Sequence, residues 1–173
     1  MEFMDVVKKR RSIRRYKPDP VPEEEIKYIL EAARLAPSWA NTQCWHFVVV
    51  TDQAVKDNVG AAGNRWIAKA PVIIIACAEP TQPGIKGDQH YYMLDIGIAM
   101  EHLVLAAAER GLGTCWIGWF HEDQVKKALG VPDNLRVVAS TPLGYPAEEP
   151  PARDRKKLED IFSYNRFEQK NAG

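Results

Sequence analysis

A mixed α/β or α+β sandwich is the fold class this sequence predicts, and three observations carry that prediction. Helical and strand patterns alternate along the 173 residues, but not in the strict βαβ series of a purely parallel sheet. Short β-branched runs such as Val72–Ala78 have the length and composition of buried strands. One long helical pattern, from Gln89 to Arg110, is apolar on several sides and so must be buried on several sides. The length suits one domain, 1–173.

Taken in order, a short first helix is expected over Phe3–Arg10, and the proline-rich stretch Lys17–Pro22 reads as a loop. Pro22 suits the first turn of a second helix, with Glu23, Glu24 and Glu25 at its positive end. Ile26, Ile29, Leu30 and Ala33 form its apolar stripe, and Pro37 stops it. Trp45–Thr51 and Pro71–Ala78 read as buried strands, with a surface helix over Gln53–Gly60 between them. Glu79–Asp88 reads as a loop. In the long helix Met93, Ile96, Gly97, Met100, Leu103, Val104 and Ala107 make one stripe, Leu94, Ile98 and Leu105 lie off it, and Gly111 caps the end. Thr114–Phe120 is expected as a strand, His121–Leu129 as a helix closed by Gly130, and Leu135–Tyr145 as the last strand. From Pro146 the composition turns proline-rich, charged and then aromatic, so 146–173 reads as an extension that wraps a neighbouring subunit.

Composition narrows the function. The longest apolar runs fall short of the ~20 residues of a membrane span, and no leader-like apolar run follows the basic start, so neither a membrane segment nor a secretory leader is expected. Cys44, Cys77 and Cys115 lie far apart without a CxxC pair, which speaks for a reducing, cytoplasmic setting. The formal net charge is zero, which argues against nucleic acid as a partner. Locally, seven basic residues lie between Lys8 and Lys17, and Arg153, Arg155, Lys156 and Lys157 form a second cluster. Such runs are either solvated surface or two arms converging on one anion.

Familiar motifs fail. Trp116 stands where the last glycine of G-x-G-x-x-G would be, and Trp119-Phe120 replace the Lys-Ser/Thr of a P-loop. His46, His90, His102 and His121 lack metal-ligand spacing. Cys115 is either a nucleophile or a small buried hydrophobe. What remains is Arg10-Arg11-Ser12-Ile13-Arg14, three guanidinium groups and a hydroxyl directly after a helix, a donor set matched to phosphate oxygens. The segment Ala36–Phe47 sets Ser38, Asn41 and Gln43 among tryptophans. That lining suits either a flat polar heterocycle or an ordinary turn over a core strand.

In their order along the chain, Arg10–Arg14, Pro37–Phe47, Gly111–Phe120 and Pro142–Arg155 resemble the nitroreductase superfamily, over essentially the whole sequence. The resemblance implies an α/β/α sandwich of the α+β class, with a mixed, mainly antiparallel sheet. It also implies an intertwined homodimer with FMN at the subunit interface. Arg10, Arg11, Ser12 and Arg14 would then hold phosphate, ribityl or ring-edge oxygens, and Arg153 and Arg155 would close on the phosphate. Pro37, Ser38, Asn41 and Gln43 would reach the flavin from the partner subunit. Trp116, Ile117 and Gly118 would lie along the ring, with the glycine replacing an acidic residue of some relatives, while Cys44 stands where proline is common. The implied activity is an FMN-dependent oxidoreductase that takes electrons from NADH or NADPH. It would pass them to nitroaromatic, quinone or flavin-type acceptors by a ping-pong mechanism, with no separate catalytic side chain. Two alternatives stand beside it: a flavin-binding protein without turnover, and a nucleic-acid-binding module built on the basic clusters.

Overall fold

A computed structural model describes residues 2–168. The elements are α1 (Phe3–Lys9), α2 (Glu23–Arg34), β1 (Trp45–Val50), α3 (Gln53–Ala61), β2 (Val72–Ala78), β3 (Ile85–Lys86), β4 (Gln89–His90), α4 (Tyr91–Glu109), β5 (Gly113–Thr114), α5 (Glu122–Leu129) and β6 (Arg136–Gly144). Local chemistry sets several of their ends. Pro22 precedes α2 with its φ already near helical values, and three glutamates follow at the positive end. Asp52 accepts the Val55 N–H to cap α3. Gly111, at φ +73°, turns the chain out of α4.

The main sheet runs β1-β2-β6-β5 and every strand pairing in it is antiparallel. Among the described residues the expected parallel component is confined to a single bridge, Ser12 opposite Thr114. All seven residues of β2 are buried, and their alternation builds two cores. Val72, Ile74, Ala76 and Ala78 pack with α2 and α4, whereas Ile73, Ile75 and Cys77 pack with Val59 of α3, Ile67 and Val125 of α5. Helices therefore cover both faces, giving the α/β/α sandwich.

The strand expected over Thr114–Phe120 is mostly absent. β5 stops at Thr114 because the Cys115 N–H donates to the Thr141 side-chain oxygen, at 3.0 Å, instead of to a strand carbonyl. Ile117 then rejoins β6 through a two-way bridge with Ser140, and Asn64 draws the Trp119 carbonyl away at 2.6 Å. The surface helix α3 also has a buried side, where the Lys56 ammonium donates to the Ala70 and Pro71 carbonyls. The loop after β2 carries the β3–β4 hairpin, so the long helix begins at Tyr91 rather than Gln89. In α4 the inward stripe holds Ile96, Met100, Leu103, Val104 and Ala107, but Met93 faces out, 52% exposed. By length and mean hydropathy α4 could span a membrane, yet half of it is buried within its own domain, Asp95 included.

Candidate active site

The Arg10–Arg14 segment leaves α1 and is pinned to the sheet, where the Ile13 N–H donates to the Thr114 carbonyl at 2.8 Å. Gly113 permits this approach, since a Cβ there would lie 2.8 Å from the Ile13 side chain. The chain leaving β6 then zips onto the same segment: Lys17 N–H donates to Tyr145 O, and Ala147 N–H to Arg15 O. Glu148 completes the junction. One of its oxygens accepts the Arg14 and Arg15 backbone N–H groups at 2.6 and 3.1 Å, and the other accepts Arg15 Nε at 2.9 Å. These bonds hold its carboxyl below the ordinary carboxylate range.

This junction brings the two basic clusters together. Arg10, Arg11, Ser12 and Arg14 from the N-terminal segment and Arg153 and Arg155 from the C-terminal one line a single groove of about 470 Å³. No carboxylate lines it. Arg11, Arg14 and Arg155 hydrogen-bond to backbone carbonyls, which orients the guanidinium groups without neutralising their charge. The two basic segments thus line one groove within one protomer, and the donor set fits a phosphate monoester.

The other predicted residues lie elsewhere. Pro37, Ser38, Asn41 and Gln43 do not line the arginine groove. They sit on a turn in which Ala40, Asn41 and Gln43 all adopt left-handed backbone conformations, at φ 44°, 57° and 51°. Non-glycine residues at such angles cost on the order of 1–3 kcal/mol each and concentrate at functional sites. Ser38 Oγ accepts the Gln43 N–H at 2.9 Å, and the Gln43 amide lies 3.4 Å from the Asn41 side-chain oxygen. Asp95, 1% exposed, braces the turn from α4 by accepting the Trp39 N–H at 2.9 Å. Trp116 and Gly118 are exposed around the buried Ile117, and beyond its chain neighbours no heavy atom lies within 4 Å of where a Gly118 Cβ would stand. Cys115 is 5% exposed and burial pushes its thiol pKa up, which favours the small-hydrophobe reading over the nucleophile. Among the described residues no cluster of His, Cys, Asp or Glu could hold a metal.

Sequence reasoning missed Glu148 and Asp95. The available signals were an acidic pair, Glu148-Glu149, set among prolines opposite a basic run, and one aspartate inside a greasy helix.

A three-layer sandwich with a carboxylate-free arginine groove and an amide-bearing turn at positive φ is an arrangement that fits a phosphorylated ligand. The nitroreductase family model matches residues 7–62 and 58–145, and the chain belongs to that family. It is 34% identical over 186 residues to the NADH dehydrogenase of Thermus thermophilus, covering 88% of this chain and 91% of that protein. A nitroreductase family protein from Clostridium novyi NT superposes with a TM-score of 0.81 at 39% identity, over 86% of this chain and 87% of that one. The FMN-dependent nitroreductase of Clostridium difficile R20291 does so with a TM-score of 0.84 at 30% identity, over 95% and 99% of the two chains.

Proposed function

We propose that this chain is an FMN-dependent oxidoreductase that uses NADH or NADPH to reduce nitroaromatic, quinone or flavin-type acceptors, acting as a homodimer. The observation that carries the reading is the carboxylate-free groove in which Arg10, Arg11, Ser12, Arg14, Arg153 and Arg155 converge. Those residues hold the phosphate and ribityl oxygens. Pro37, Ser38, Asn41 and Gln43 of a second protomer meet the ring edge, Ser38 with a hydroxyl and Asn41 and Gln43 with amides, and Trp116–Gly118 leave a wall free of side-chain bulk at Gly118. When bound, FMN would supply the two-electron exchange between the nicotinamide and the acceptor. The chain's own groups bind and orient the cofactor, and Arg14 in the groove would add positive charge that favours added negative charge on it. The strain stored at Ala40–Gln43 is consistent with a turn shaped for a ligand rather than for its own stability. A cytoplasmic setting belongs to the same reading, with all three cysteines free and buried.

The test is spectroscopic. The purified protein should be yellow, release FMN rather than FAD on denaturation, and bleach under NADH or NADPH without oxygen. A colourless protein that cannot be reconstituted with FMN would overturn the reading. A yellow protein that never bleaches would be a flavin binder without turnover.

A further inference from the structure

We propose that Glu148 is a positioning residue for the cofactor phosphate: it clamps the C-terminal segment onto the Arg10–Arg15 loop and so sets Arg153 and Arg155 beside Arg10 and Arg14. The inference rests on the FMN reading above and goes beyond it to a residue that does not line the arginine groove. Glu148 instead lines an adjoining cavity of about 550 Å³ that shares Arg10, Arg11 and Pro150 with the groove. Its bonds run to the Arg14 and Arg15 main chain and to the Arg15 side chain, so it acts on the course of the loop.

Three features single it out. Its carboxylate collects three donors from residues 133 and 134 positions away, two of them backbone N–H groups. Backbone donors fix the course of the chain, which a side-chain ion pair alone would not. Next, Glu148 lies two residues before Pro150-Pro151, which restrict the direction in which the chain continues. Pro150 and Pro151 both line the groove, directly ahead of the two arginines. Finally, the side chain is only 18% exposed while its Arg15 partner is 78% exposed. The ion pair to the Arg15 side chain is thus a surface contact, and the two bonds to the loop's backbone N–H groups are what tie the chain down.

A thermodynamic cycle read in FMN affinity separates positioning from general stability. Glu148→Ala should weaken FMN binding by about tenfold, the scale of a lost charge-assisted hydrogen bond. In an Arg153→Ala/Arg155→Ala background the same substitution should cost under about twofold, because the groups it positions are gone. Glu148→Asp should restore part of the affinity. Equal losses in both backgrounds, or none in either, would overturn the proposal. Should Glu148→Ala fail to fold, Glu148→Gln enters the same cycle, keeping one acceptor oxygen and losing the charge. A cofactor-free arm distinguishes failure here from failure of the FMN reading. In the apoprotein, Glu148→Ala should speed tryptic cleavage after Arg153 and Arg155, and unchanged cleavage would overturn the clamp even if FMN binds as expected.

Discussion

Asp95 places an ionisable group in the interior of an apolar helix, where a charge without partners would cost several kcal/mol. One of its oxygens takes the Trp39 N–H at 2.9 Å and the other lies 3.7 Å from the Cys44 sulfur. Through Trp39 it anchors the turn that holds Ala40, Asn41 and Gln43 at positive φ. Removing the acceptor should therefore release both the hydrogen bond and the turn. Asp95→Ala is expected to cost roughly 1–3 kcal/mol in urea unfolding, whereas Asp95→Asn, whose amide oxygen still accepts the Trp39 N–H, should keep most of that. Equal losses for the two variants would show that charge, not the acceptor, matters there. Burial, aided by Asp95, pushes the Cys44 thiol up to about 12, and burial takes Cys77 to about 11. At pH 8 neither group supplies appreciable thiolate, so a thiol reagent should label them only as the protein unfolds.

Helix α4 shows what an element reveals that its residues do not. Gly97 lies in its middle, where glycine costs ~1 kcal/mol relative to alanine, and beyond its own helix backbone an added Cβ would meet nothing within 4 Å. Leu94, one turn earlier, is 57% exposed. Packing within the protomer does not call for a glycine there, and in the homodimer proposed above close approach of a second copy of the helix would. Gly97→Leu should preserve the helical circular dichroism of the protomer but shift its sedimentation to monomer and lose FMN. A yellow Gly97→Leu dimer would remove α4 from the interface. The helix itself was legible in the sequence, because Ile96, Met100, Leu103, Val104 and Ala107 recur at helical spacing. Met93 was misplaced inward because periodicity ranks residues by hydrophobicity and says nothing of what covers them. The strand over Thr114–Phe120 was misread for another reason. Thr141 captures the Cys115 N–H, and competition between side chain and backbone across 26 residues leaves no local trace. The groove arginines were legible from composition and order along the chain. Glu148 was not, since its partners are main-chain groups whose positions only the fold supplies.

At the scale of the whole molecule, the protomer exposes more surface than its mass warrants. A compact monomer of 19.5 kDa has about 8,500 Å² of accessible surface, while this chain shows 11194 Å². Much of the apolar part lies at the two ends: Phe3 and Met4 on α1, then Leu158, Ile161, Tyr164 and Phe167 on the extension, with Phe167 91% exposed. An exchanged C-terminal segment would cover such residues, and residues 169–173 of the expected extension lie outside the described residues. Deleting residues 151–173 should give a monomer or an aggregate that no longer retains FMN, as read by sedimentation and absorbance. A stable yellow dimer of the shortened chain would contradict the exchange. The strand order has a consequence for how the chain is made. β2 lies between β1, which precedes it closely, and β6, which is complete only at Gly144. At translation rates of about 5–20 residues per second, on the order of 3–13 s separate the synthesis of Ala78 from that of Gly144. For that interval seven apolar residues wait with one edge bare on a nascent chain, so strand order alone gives this protein a need for shelter during its own synthesis.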